Sequence, residues 1–423
     1  MKQTLIFHGV RKNTTSFKLD LLIQKLHKQR EYLHALPIDD LIDFFNQLTL
    51  YWQTKGLTKK YPYLKNITDF LSKKNLLPRL TIALHGNYKA LDTFIDLGDP
   101  CFLFHAQPRG LTIQWLAGNV AILGLFSIFS ALLTKNVSLI KASSRGYSDL
   151  IVFLETLSKI STKKISGKQL AQCIAVVLID RTDTATHELL SLAGDVRVAW
   201  GGKDAVETII NLKKSIDCQD IIFGPKYSYA LIDNETLTTH LMQSAQRLAI
   251  DVSVFDQYAC SSPHTVFIQA NKKQALQFAQ ILAKQLELVN RTLIPKGETS
   301  AAKAMEILDI RSEYAIKGKV FSSKGTDWTV VYTDEKGLFK GCFSRVIFVK
   351  TIKNIAKLTA YSNRQKQTLT VGMTLQNKLQ YLDMITRTGI DRCPDLGFAT
   401  FFESPWDGMF VFDRLVRWVT IHK

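Results

Sequence analysis

No CxxC pair, no Cys/His cluster and no HxH or HExxH pattern occurs in this chain of 423 residues. Its six cysteines, at positions 101, 173, 218, 260, 342 and 393, stand more than 40 residues apart. That spacing excludes a disulfide scaffold and a zinc ribbon, and it suits thiols in a reducing compartment. Without His-rich spacing, no metal is expected. The opening MKQTLIFHGV has an apolar run of only three residues before His8, which excludes a secretory signal and makes cytoplasmic residence the expectation. Long apolar runs are also missing, with one apparent exception. Gly110 to Thr134 spans 25 residues without a charge, longer than the roughly 20 that cross a bilayer. Gln114 lies near its start, however, and Gly118-Asn119 interrupts it. The remaining piece, Val120 to Leu133, is too short to span, so a strand, a tight turn and a buried helix are expected instead. Only ten prolines punctuate the chain, which leaves domain boundaries softly marked.

What is abundant is apolar residues, at 46%, and positive charge. The former excludes disorder as the main state, and the length suits two or three domains. Lys+Arg number 54 against 37 Asp+Glu, so 54 − 37 gives +17. Nucleic-acid binding would want a concentrated basic stripe with interleaved aromatics. Here the lysines come as scattered pairs: Lys59-Lys60, Lys73-Lys74, Lys163-Lys164, Lys213-Lys214 and Lys272-Lys273. Solvated helix faces account for such pairs. Steering of anionic ligands, such as phosphorylated cofactors, or of an acidic partner is the other reading of the surplus.

Residues 1–85 read as mostly helical. Leu41, Phe44, Phe45, Leu48 and Tyr51-Trp52 recur at helical spacing, and Pro37 before Asp39-Asp40 marks a helix start. From 111 onward short apolar strands are expected at 111–116, 137–141, 174–179, 196–200 and 219–223. Helices are expected between them at 121–134, 146–160, 185–193 and 203–213. Such alternation predicts βαβ units and a parallel, doubly wound sheet. Past about 225, helices at 237–250, 272–289 and 300–309 join strands at 265–269, 319–323, 328–332 and 345–349 in a second α/β domain.

Neither GxGxxG nor GxxxxGK[ST] is present, so a nucleotide site must be sought at strand ends. Val198-Ala199-Trp200-Gly201-Gly202 ends a strand in two glycines, which either let backbone N–H groups approach a diphosphate or serve only the chain reversal. Leu139-Ile140-Lys141-Ala142-Ser143-Ser144 ends a strand in a lysine and two hydroxyls. These suit a ribose and its phosphate, or equally a solvated lysine before a capping serine. Among the cysteines, Cys260 alone lies in a small, polar loop, Asp256-Gln257-Tyr258-Ala259-Cys260-Ser261-Ser262-Pro263-His264. A catalytic thiol wants such partial exposure, and a buried or incidental thiol is the other reading. His264 is either its base or a loop-anchoring group.

Taken in order, these segments resemble the aldehyde dehydrogenase superfamily. More closely they resemble its acyl-CoA reductase branch, the fatty-acid reductase subunit of bacterial luminescence systems. The likeness rests on Ala117-Gly118-Asn119-Val120, the helix Gly124 to Leu133, Thr134-Lys135-Asn136, and Ile140-Lys141-Ala142-Ser143-Ser144. It continues through Ala199-Trp200-Gly201-Gly202, Phe223-Gly224-Pro225-Lys226, Phe255 to His264, Trp406-Asp407-Gly408 and Leu415-Val416-Arg417. It covers roughly residues 98–420.

The resemblance implies two doubly wound α/β domains: a cofactor-binding domain at 86–225 and a catalytic domain at 226–400. The helical region 1–85 precedes them, and 401–423 packs back or oligomerises. It implies Cys260 as the nucleophile that carries an acyl thioester, with Asn119 as a side-chain donor to the oxyanion. Lys141 and Ser143 would hold the adenosine ribose and the 2′-phosphate of NADPH, and Gly201 and Gly202 would lie beside the diphosphate. Oxidising members carry a glutamate that activates water, and its place here resembles Ile222, which favours reduction over hydrolysis. The implied activity is reduction of an acyl thioester, from acyl-CoA or an acylated partner enzyme, to an aldehyde by a homo-oligomer. The competing readings are an aldehyde-oxidising dehydrogenase and a catalytically silent, nucleic-acid-associated protein of the same fold.

Overall fold

The computed structural model describes residues 3–118, 123–144, 146–339 and 341–423. Helical spacing at Leu41, Phe44, Phe45 and Leu48 becomes the buried stripe of a helix, Ile38–Thr54, with Pro37 at its N-cap. Asp39 and Asp40 occupy its first turn, where carboxylates offset the helix dipole. Further helices follow at Leu64–Leu71 and Lys73–Ala83. A hairpin precedes these helices: β1 (Thr4–His8) and β2 (Val10–Thr14) turn at Gly9, whose φ is 71°. The apolar run that is too short for a signal thus forms a strand, an element that the helical reading of this region omits.

Two compact units make up the chain: residues 1–224 with 402–423, and residues 225–401. The first unit holds β3 (Phe102–Pro108), β4 (Leu111–Trp115), β5 (Val137–Ala142), β6 (Ile174–Leu178), β7 (Val196–Trp200) and β8 (Gln219–Phe223). Its seven-stranded sheet runs β2-β1-β6-β5-β4-β7-β8. The last five strands in that order are parallel neighbours, and β1 joins β6 antiparallel. The charge-free stretch resolves into β4 and a buried helix, Leu123–Leu133. Among the described residues no helix is long and apolar enough to cross a membrane.

The second unit holds β9 (Tyr227–Ile232), β10 (Pro263–Ile268), β11 (Lys319–Ser322), β12 (Thr329–Tyr332), β13 (Val346–Thr351) and β14 (Lys366–Gly372). Their order is β11-β12-β13-β10-β9-β14, with only β11 antiparallel. Alternate residues of β9 enter opposite cores. Ala230 and Ile232 pack with Leu248, Phe278 and Leu282 of the helices Leu241–Ser253 and Lys272–Thr292. Tyr229 and Leu231 join Phe267, Leu369 and Ile385 on the other face. Each of the Leu, Ile and Phe side chains among them contributes about 1.5–3 kcal/mol on burial. Burial on both faces explains why these strands read as unbroken apolar runs. The chain returns to the first unit with β15 (Val416–His422), which pairs antiparallel with β3 from Val416↔Pro108 to His422↔Phe102.

Candidate active site

In the first unit the sheet order reverses beside β4: the chain passes from β4 through β5 to β6, then returns to β7 on β4's other side. Open parallel sheets bind ligands at such a reversal, outside the carboxyl ends of the strands. A cavity of about 480 Å³ lies there, lined by Trp115, Lys141, Arg181, His187, Trp200 and Asp204 among others. Burial pulls the Lys141 ammonium below the ordinary lysine value, opposed by Asp180. Such a cation gains from an anionic partner. Trp115 Nε1 donates to His187 Nδ1 at 3.0 Å, while His187 Nε2 lies 3.1 Å from the Asp180 carbonyl. Because indole only donates, His187 holds its proton on Nε2 and is neutral, in line with the lowering that burial imposes on it.

Gly201 and Gly202 follow β7 directly and lead into the helix Lys203–Ile210. The two glycines have different reasons. A Cβ on Gly201 would meet Ala205 Cβ at 3.1 Å, whereas one on Gly202 would meet nothing within 4 Å. Gly201 therefore serves helix packing, Gly202 has open space at its Cα, and neither is among the cavity's lining residues. Trp200 stacks on Phe223 with centroids 3.8 Å apart, and its buried Nε1 has no acceptor among the described residues. Ser143 comes one residue after β5, outside the cavity's lining residues. Asn119 lies outside the described residues. Thr134-Lys135-Asn136 proves structural: Lys135 pairs with Asp92 at 2.7 Å, and Asn136 bonds Gly110 N and Leu415 O.

Cys260 belongs to the second unit, half-buried in the loop before the amino end of β10. Its carbonyl accepts from Ser228 Oγ at 2.6 Å, which in turn accepts from Thr368 N at 3.1 Å. Upstream, Gln257 imitates a strand residue: Oε1 accepts from Val346 N at 3.0 Å, and Nε2 donates to Val346 O and Pro263 O. The backbone there is strained. Phe255, Asp256 and Gln257 have φ of 55°, 49° and 68°, a region that costs a side-chain-bearing residue about 1–3 kcal/mol. A second left-handed triplet, Phe343, Ser344 and Arg345, lies against the first. Such strain concentrates where a site is being shaped.

Four of the other five thiols are poor nucleophile candidates, and the fifth, Cys101, is exposed just before β3. Burial pushes Cys173 and Cys393 up to about 12 and Cys342 up to about 11, and it raises Cys218 as well. His264 sits in β10, its ring 5.2 Å from that of Tyr227 and 5.1 Å from that of Phe343. Burial lowers it to about 4, so it is a neutral packing ring at physiological pH. Sequence reasoning missed Trp115, Arg181, His187 and the Asp256–Arg345 pair. Arg181 follows β6 by the same strand-end rule that singled out Lys141. The pair spans 89 residues and leaves no local pattern.

This architecture is that of the aldehyde dehydrogenases. It superposes on a NAD-dependent benzaldehyde dehydrogenase from Corynebacterium glutamicum with a TM-score of 0.67, covering 100% of this chain and 95% of that one at 12% identity. Aldehyde dehydrogenase 21 from Physcomitrella patens gives 0.68 at 10% identity, covering 100% and 95%. The chain belongs to the acyl-CoA reductase (LuxC) family, whose profile matches residues 33–418. It is 26% identical over 417 residues to the long-chain acyl-protein thioester reductase of Photobacterium phosphoreum, covering 93% of this chain and 82% of that one. Its identity to the Vibrio harveyi protein of that name is 25% over 415 residues, covering 92% and 84%. Family membership places its chemistry in the oxidoreduction of acyl groups.

Proposed function

We propose that the protein reduces an acyl thioester to the aldehyde with NADPH, through an acyl group carried on Cys260. The observation that carries this reading is the family match over residues 33–418, joined to a polar, half-buried thiol loop. The donor is acyl-CoA or an acylated protein, and the names of the relatives support the second. Two features of the first-unit cavity support a dinucleotide: the Lys141 ammonium and the Trp200 Nε1, which has no acceptor among the described residues. Lys141 and Ser143 are assigned to the ribose and 2′-phosphate, and Gly201-Gly202 to the diphosphate. A reduced nicotinamide held by these residues would supply the hydride that takes the acyl group to the aldehyde.

Cys260 Sγ, as thiolate, attacks the thioester carbonyl; the new S–C bond forms as the donor thiol departs, taking up a proton from solvent. The acyl group then waits on Cys260 as a thioester. Asn119 and the Cys260 N–H are assigned to the oxyanion that forms when that carbon becomes tetrahedral. Collapse breaks the S–C bond, returning Sγ as thiolate and releasing the aldehyde. Incubation with acyl-CoAs should leave one acyl adduct, located by peptide mass spectrometry on Cys260. Cys260→Ala should lose both adduct and aldehyde while binding NADPH as before, and more tightly than NADH. Labelling that persists on Cys173, Cys218 or Cys342 would refute the assignment.

A further inference from the structure

Three non-glycine residues in succession at positive φ do not hold themselves; the surroundings must over-determine them. In the second unit two such triplets meet, 255–257 and 343–345, and the ties between them converge on one ion pair. Asp256 Oδ1 accepts from Arg345 Nε at 2.7 Å and lies 2.7 Å from Nη2. Asp256 O accepts from Ser344 N at 2.9 Å. The second carboxylate oxygen, Oδ2, accepts from Gly297 N at 3.0 Å, and Arg345 Nη1 donates to Asn290 Oδ1 at 3.0 Å. Arg345 is 1% exposed. Next to the pair, Tyr258 stacks on Phe343 with centroids 5.2 Å apart, and its hydroxyl lies 3.2 Å from Ser344 Oγ.

We propose that Asp256 and Arg345 are positioning residues for the Cys260 thiol: their ion pair locks the two left-handed triplets together and thereby sets the path of the turn that presents Sγ. This rests on the reading of Cys260 as the nucleophile. Three residues separate Asp256 from Cys260, and the turn is anchored at its far end by Ser228 Oγ on the Cys260 carbonyl. With that end held, relaxation of Asp256 or Gln257 toward ordinary φ must be absorbed between Tyr258 and Cys260. A guanidinium held at two points, Nε on Asp256 Oδ1 and Nη1 on Asn290 Oδ1, fixes both distance and plane, which a lysine ammonium does not. Arg345→Lys therefore keeps the charge and loses the geometry, and Asp256→Asn keeps the shape and loses the charge.

The test compares Arg345→Lys, Asp256→Asn and their combination with the unmodified enzyme. It reads kcat, KM for acyl-CoA, the rate of Cys260 alkylation by iodoacetamide across pH, and the thermal unfolding midpoint. A displacement of about 1 Å at a reacting atom costs on the order of 10²-fold, so kcat should fall by roughly that factor in Arg345→Lys. KM should stay within about threefold, and alkylation should slow in parallel. The double variant should be no worse than the poorer single one, because both break one tie. A merely structural pair would lower the unfolding midpoint and leave the kcat and alkylation of the folded fraction unchanged, which overturns the proposal. Should Arg345→Lys fail to fold, the near-isosteric Asp256→Asn carries the same comparison. Absence of an acyl adduct on Cys260 in the unmodified enzyme would overturn the functional reading and the proposal together. An adduct there with unchanged kcat and alkylation in the variants overturns the proposal alone.

Discussion

At the scale of single residues, burial sorts the titratable groups into those that can do chemistry and those that pack. His264 was open to two readings, base or anchor, because a His four residues past a cysteine says nothing about its surroundings. The structure places it between Tyr227 and Phe343 and lowers it to about 4. Since the unfolded value is about 6.5, the unfolded chain takes up a proton that the folded chain refuses between those two values. Stability from this group is therefore present above pH 6.5 and lost as pH falls toward 4, on the order of 3 kcal/mol in all. His264→Phe keeps a ring in the cluster and removes the proton site. Urea midpoints measured from pH 7 to pH 4 should fall less steeply in that variant, whatever its absolute stability. Equal slopes in the two proteins would show that His264 is not buried neutral.

Elements were largely legible where burial is two-sided and local. Val196–Trp200 and Gln219–Phe223 match the strands read from the sequence, and Val137–Ala142 and Ile174–Leu178 do so within one residue. What escaped were strands whose neighbours alone make them strands. β1 and β2 join the sheet from the start of the chain, β9 begins right after a Gly-Pro turn, and β15 finds β3 across some 300 residues. The Gly201-Gly202 turn was found, but its two roles were not separable by sequence. The structure separates them, and Gly202 tests the cofactor assignment apart from the fold. Its φ of −69° suits any residue, so Ala there gains about 0.4–1 kcal/mol from the unfolded chain. Alanine's poorer N-capping offsets that, and the unfolding midpoint should barely move. NADPH affinity should nonetheless drop on the order of tenfold, about 1.4 kcal/mol, as a methyl enters the space assigned to the diphosphate. Unchanged affinity would place the diphosphate elsewhere.

For the molecule as a whole, the fold leaves the direction of the reaction open, since aldehyde-oxidising proteins share it and this chain belongs to the acyl-CoA reductases. Direction turns on what removes the acyl group from the thiol. Ile222 lies half-buried on β8, beside Ala199 of β7, and carries no group that can activate water. If that position stands where oxidising relatives keep their glutamate, the acyl-enzyme waits for hydride or for another thiol. Supplied with aldehyde and NADP⁺ alone, the unmodified protein should give a brief burst of NADPH and little free acid. Adding CoA should restore turnover, because a thiolate attacks a thioester without a general base. Ile222→Glu should raise acid formation by up to the roughly 10²–10⁴-fold that a positioned base supplies, and partial exposure of the site limits the cost of placing a carboxylate there. Sustained, thiol-independent oxidation by the unmodified protein would mean that a different residue activates water, and its chemistry would then run as in the oxidising dehydrogenases.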